Sequence, residues 1–176
     1  MERFFWKTNQ VISIETKRKD ENRKENVYVL AQMLEEARLL VFNLFSKDNT
    51  WDNVNLSQAP ILFCTYVARQ FIAASNIFKQ KTAPLLDYSP PKYRIDMGMG
   101  NRYVTVWAGT SDEREFLILG KGGGRLIEGH IGDYEVIMPE IPETDNETID
   151  KYELTNVRVY AEFNERLYLL QTNTKN

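Results

Sequence analysis

A thiol beside an imidazole is a compact nucleophile and base, and this chain has one of each, Cys64 and His130. Nothing in their settings pairs them. Cys64 ends the apolar run Ile61-Leu62-Phe63 and reads as a small buried hydrophobe, while His130 stands between Gly129 and Ile131-Gly132. No serine sits in a Gly-x-Ser-x-Gly elbow. One cysteine excludes a four-thiolate metal site. An oxygen-only calcium site would need Asp145, Asn146, Glu147 and Asp150, whose spacing lacks the ligand series of an EF-hand loop. In Gly120-Lys121-Gly122-Gly123-Gly124 the lysine precedes the glycines and β-forming residues follow, so a hairpin turn is a better reading than a phosphate loop. Paired carboxylates for glycoside chemistry could be nominated among many acidic residues, but sequence spacing does not establish their separation in space. No catalytic, cofactor or metal-binding residue is therefore assigned. The chain is read as a non-enzyme that acts by binding a partner.

Composition narrows the class of partner. With 43% hydrophobic and 12% aromatic residues the chain can build a core, and a domain of this size buries about 70% of its unfolded surface. Charge is nearly balanced, 22 basic against 25 acidic residues for a net of -3, which supplies no overall drive toward nucleic acid. Tyr103, Trp107, Phe116 and Tyr134 could stack bases in principle, but no basic patch accompanies them, and core packing is the expectation for all four. The apolar stretches are interrupted by Gln32, Glu35, Glu36 and Arg38, and again by Arg69 and Gln70, so none reaches the roughly 18 residues that span a bilayer. Residues 1–9 lack a secretory pattern, and a single cysteine fits a reducing compartment. The expectation is a cytoplasmic protein without nucleic-acid or membrane partners. Two charged clusters stand out: Lys17, Arg18, Lys19, Arg23 and Lys24, and the acidic Glu140, Glu143, Asp145, Glu147, Asp150 and Glu153. Both read as solvated loops.

The elements that would carry a binding surface are mostly strands. Val11, Ile12 and Ile14 predict an opening strand, followed by an exposed loop from Thr16 to Asn26. Val27 to Phe45 is ambiguous: Leu30, Met33, Leu34, Ala37, Leu40, Val41 and Leu44 fit helical spacing, yet both ends are rich in β-formers. The preferred reading is two strands, Val27 to Leu34 and Arg38 to Phe45, turning at Glu35 to Ala37, with a central helix as the alternative. Ile61 to Val67 predicts a buried strand, and Gln70 to Lys79 a short helix or an irregular strand extension. Asp87-Tyr88-Ser89-Pro90-Pro91 is a rigid connector. Beyond it, strands are expected at Tyr93 to Ile95, Tyr103 to Ala108, Phe116 to Leu119, Arg125 to Gly129 and Tyr134 to Met138, the last ending at Pro139. The Gly-rich turn should join Phe116 to Leu119 and Arg125 to Gly129 as a hairpin. Val157 to Tyr160 fits another strand, and Phe163, Leu167 and Leu170 predict a closing helix over Glu162 to Leu170. The fold class is α+β: a strand-rich, mostly antiparallel twisted sheet with one or two helices. It is read as a single domain, 1–176, with subregions 1–86 and 92–176 joined by the proline-rich connector.

Four blocks taken together resemble the immunity protein 26 family of bacterial polymorphic toxin systems. They are Lys7 to Lys17 (KTNQVISIETK), the strand pair Val27 to Phe45, Ala59 to Ile72 (APILFCTYVARQFI) and Phe78 to Asp96 (FKQKTAPLLDYSPPKYRID), with a weaker echo in Glu153 to Leu170. The resemblance implies a protein that binds a cognate toxin domain and blocks it, and it carries over no catalytic residue. Many toxin nucleases are basic, so it makes Glu140, Glu143, Asp145, Glu147 and Asp150 the expected contact region, by charge complementarity. A structural or adaptor protein of a mobile element, and a small enzyme with an unrecognised site, are the other classes.

Overall fold

The computed structural model describes residues 5–16, 26–95, 124–130, 132–142, 144–153 and 160–173. The chain divides into two compact units, Met1–Tyr88 with Val157–Asn176, and Ser89–Asn156. The boundary falls inside the proline-containing connector. The closing helix belongs to the first unit, so the second subregion ends before it rather than at the C-terminus.

The first unit is built on an antiparallel sheet of five strands in the order β4-β3-β2-β1-β5: β1 (Val11–Thr16), β2 (Val27–Met33), β3 (Arg38–Ser46), β4 (Ile61–Tyr66) and β5 (Ile77–Lys79). The ambiguous stretch resolves as the strand pair. Glu36 and Ala37 both take left-handed backbone angles (φ 57°), which ends any helix and returns the chain so that Met33 pairs with Leu39. Pairing then enforces a period of two. Ile12, Ile14, Val29, Ala31, Met33, Leu39 and Val41 form one buried face, against which Phe71 of α1 (Arg69–Ala74) and Phe163 and Leu167 of α3 (Tyr160–Asn173) pack. The Phe71 and Phe163 rings meet edge to face at 5.1 Å, and each such buried side chain contributes about 1.5–3 kcal/mol. Gln70 to Lys79 holds the short helix, as α1, and then β5, which is a separate strand paired with β1 and not an extension of β4. Cys64 is buried, as its apolar setting indicates.

The opposite face of this sheet carries polar groups, and irregular chain covers them. Asn49 Oδ1 accepts from Ser13 Oγ and from Trp51 Nε1 (2.9 Å), and Gln80 Nε2 donates to Ser13 Oγ (2.8 Å). Fully buried Gln32 grips the covering segment with both ends of its amide. It accepts from Leu85 N–H (2.8 Å) and donates to Leu85 C=O (2.9 Å). Buried polar side chains are tolerated here because the loop backbone satisfies them.

The second unit has a three-stranded antiparallel sheet, β6-β7-β8: β6 (Lys92–Ile95), β7 (Gly124–His130) and β8 (Asp133–Ile141). Leu126, Ile141 and Ile149 form its buried cluster, with Met138 and Tyr152 against it. Buried Arg94 ties β6 to the end of the unit: its N–H donates to Glu153 C=O (2.7 Å) and its Nε to Tyr152 C=O (2.6 Å). Several expectations need correction. β8 runs through Pro139 instead of stopping before it, because the ladder with β7 has a register irregularity there and, among the described residues, no strand lies on the other side of β8 to need the missing donor. The acidic stretch is not all loop: Asn146–Lys151 forms α2, and Glu153 is buried. Tyr134 is exposed rather than packed in a core. The expected strands at Tyr103 to Ala108 and Phe116 to Leu119 lie outside the described residues, as does most of the Gly-rich turn and of the Thr16 to Asn26 loop, but Arg125–Glu128 of β7 pairs with β6 on one side and β8 on the other, not with Phe116 to Leu119 as the expected hairpin required. Residues 157–159 of the expected late strand do too, and Tyr160 opens α3. Among the described residues, no helix is long and apolar enough to cross a membrane.

Candidate partner-binding site

The sequence Asp133-Tyr-Glu-Val-Ile-Met-Pro-Glu-Ile141 alternates acidic and apolar residues, and pairing with β7 sorts them. Tyr134 lies opposite Gly129 and Val136 opposite Ile127, so both side chains share one face of the sheet. The register then shifts: Leu126 pairs with Met138, leaving Ile137 as an extra residue on β8. This bulge turns Met138 toward the buried cluster and leaves Ile137 outside the ladder. The result is a run of exposed large apolar residues, Tyr134 (40% exposed), Val136 (47%) and Ile137 (46%), with exposed Asp133 and Glu135 alternating onto the other face of β8 and exposed Glu140 near its end. Among the described residues β8 is the last strand of its sheet.

Two glycines shape this hairpin. Gly132, in the turn, has φ +98°, and Gly129 has φ +122°, where an added Cβ would stand 2.6 Å from Asp133 O. Gly129 therefore allows the close approach of the two strands at the turn. It also leaves Tyr134 without a cross-strand side chain to cover its ring.

The electrostatics are one-sided. Glu135 pairs directly across from Glu128, a like-charge juxtaposition that destabilises an isolated ladder. Lys92 of β6 lies 3.6 Å from Glu128, on the side away from β8. From Gly132 to Glu153 the chain carries eight acidic residues against Lys151 alone.

Of the residues expected from sequence, Glu140 is exposed on β8 and Glu147 is exposed in the first turn of α2. Asp145 has a structural task, since its carboxylate accepts from Thr148 N–H (3.0 Å) and caps α2. Hydrogen bonds from the Thr148 backbone and hydroxyl hold the Asp145 carboxyl below the usual carboxylate range. Glu143 lies outside the described residues, and Asp150 is described only as backbone of α2. The acidic stretch thus contributes Glu140 and Glu147 to described surface. Sequence reasoning missed Asp133, Tyr134, Glu135, Val136 and Ile137, whose acid-apolar alternation was the available signal.

A family model described as a domain of unknown function (DUF8309) matches residues 1–175. The chain belongs to the DUF8309 family. No curated protein and no solved structure matches this DUF8309 chain.

Proposed function

We propose that this DUF8309 protein is an immunity protein that binds and neutralises a basic bacterial toxin domain through the acidic, apolar row on β8. The observation that carries the proposal is the exposure of Tyr134, Val136 and Ile137 among Asp133, Glu135 and Glu140. Aromatic and aliphatic anchors supply the desolvated centre of an interface, while surrounding charge speeds encounter and rejects wrong partners. A basic partner would also relieve the Glu128 and Glu135 repulsion. Self-association is the weaker use of this edge, because two antiparallel copies of β8 would bring acidic side chains together. The block resemblance to the immunity protein 26 family supports the same class of function, as does a compartment expectation of cytoplasm.

The test is co-expression with the product of the adjacent gene. Immunity predicts co-purification and restored growth, and the double variant Glu135→Lys with Glu140→Lys should weaken the complex by roughly tenfold or more at low salt. Failure of the unaltered protein to bind or to restore growth would remove the immunity reading. A bound complex indifferent to the double variant would remove this surface from it.

A further inference from the structure

The chain lays cations on its own aromatic rings. Lys151 Nζ stands 5.4 Å from the centre of the Tyr152 ring, and the Arg166 guanidinium 5.2 Å from that of Phe63. The attraction is electrostatic, since the face of an aromatic ring is its negative side. Tyr134 on β8 differs from both rings. Its side chain is exposed, and among the described residues no cation or second ring meets its ring and nothing bonds its hydroxyl.

The neighbours of Tyr134 leave it approachable. Across the ladder stands Gly129, where an added Cβ would lie 3.4 Å from Tyr134 Cβ. The position that ordinarily supplies a cross-strand side chain is thus beside Tyr134 and carries none. Two residues earlier is Gly132, whose Cβ position has no atom within 4 Å. Local charge favours a cation. From Gly132 to Glu153 the only base is Lys151, already engaged with Tyr152, against eight acidic residues. Glu135, next in the chain, projects onto the other face of β8. It therefore contributes to a field that draws cations to the hairpin without pairing with them at the ring.

We propose that Tyr134 is the receptor for an arginine of the partner, whose guanidinium lies flat on the ring beside Gly129. This inference rests on the reading of β8 as the toxin-binding surface and names the side chain that surface takes. Arginine suits it better than lysine, because a planar, weakly hydrated head stacks on a ring with less water to lose.

The probe is an acetylated, amidated tetra-arginine peptide titrated into the full chain at low salt, followed by NMR at the Tyr134 ring protons and the amides of 129 and 132–136. Tetracitrulline keeps the planar head without the charge, and tetralysine keeps the charge without the plane. The arginine peptide should saturate and shift the Tyr134 ring, with citrulline weaker by roughly tenfold or more and lysine by roughly twofold or more. Tyr134→Phe keeps the ring face and should bind within about twofold of the unaltered chain, whereas Tyr134→Leu should lose roughly two- to fivefold. In a complex with the adjacent gene's product, where the ring is desolvated, Tyr134→Leu should lose roughly tenfold or more. An unmoved Tyr134 ring, equal affinity for the arginine and citrulline peptides, or a Leu variant that binds as tightly as the Phe variant would each overturn the proposal. A complex with the adjacent gene's product that keeps its affinity in Tyr134→Leu removes this contact and leaves the immunity reading standing. Arginine-peptide binding through Tyr134 by a chain that captures no such product removes the immunity reading alone.

Discussion

Gly129 and Gly132 offer a matched pair for testing how the β7-β8 hairpin is built. Both lie at positive φ, +122° and +98°, outside the ordinary range of an L-residue. Gly132→Ala meets no atom within 4 Å, so its cost is backbone strain alone, about 1–2 kcal/mol. Gly129→Ala adds a methyl 2.6 Å from Asp133 O and 3.1 Å from Tyr134 Cα, both main chain. Neither can give way without opening the hairpin, and overpacking of this kind costs a further ~1–3 kcal/mol. Gly129→Ala should therefore exceed Gly132→Ala by at least about 1 kcal/mol. Native-state hydrogen exchange of the β7 and β8 amides reads the local opening free energy directly. Equal costs would show that the strands do not approach as described, and with them would go the explanation for the uncovered Tyr134 ring.

Other consequences concern the first unit. Gln32→Ala removes both part-buried amide contacts to Leu85, so urea unfolding should show a loss of about 1–3 kcal/mol; a loss below about 0.5 kcal/mol would contradict the clamp. Asp48 accepts from Ser46 Oγ and from the Thr50 hydroxyl and N–H, which lowers its pKa to about 2. A depressed folded-state pKa stabilises above the unfolded value near 3.9, and that contribution is lost as pH falls through about 2. A carboxyl titration of Asp48 by NMR with a midpoint near 4 would refute the hydrogen-bonded turn.

Much of the first unit was legible because strong local signals agreed with the sheet. The two β-rich ends of Val27 to Phe45 outweighed its helical spacing, and the turn at Glu35 to Ala37 falls where the charged break interrupts them. What the sequence concealed was covering, which is non-local. Nothing in a linear reading shows that Gln32 holds Leu85, 53 residues away, or that Arg38 and Tyr88 share a cavity. The acidic stretch misled because charge marks exposure only on average: Asp145 is spent on capping α2, and Glu153 is buried. On β8 the alternation from Asp133 to Val136 was legible, but the bulge at Ile137, which changes which neighbours face the core, was not.

Hydrogen exchange of the chain with and without the adjacent gene's product tests the central claim most directly. Binding through β8 predicts slowed exchange concentrated at Tyr134 to Met138, with little change at β1 to β5. Complex formation that leaves the β8 amides unprotected, or protects the first unit alone, would contradict it.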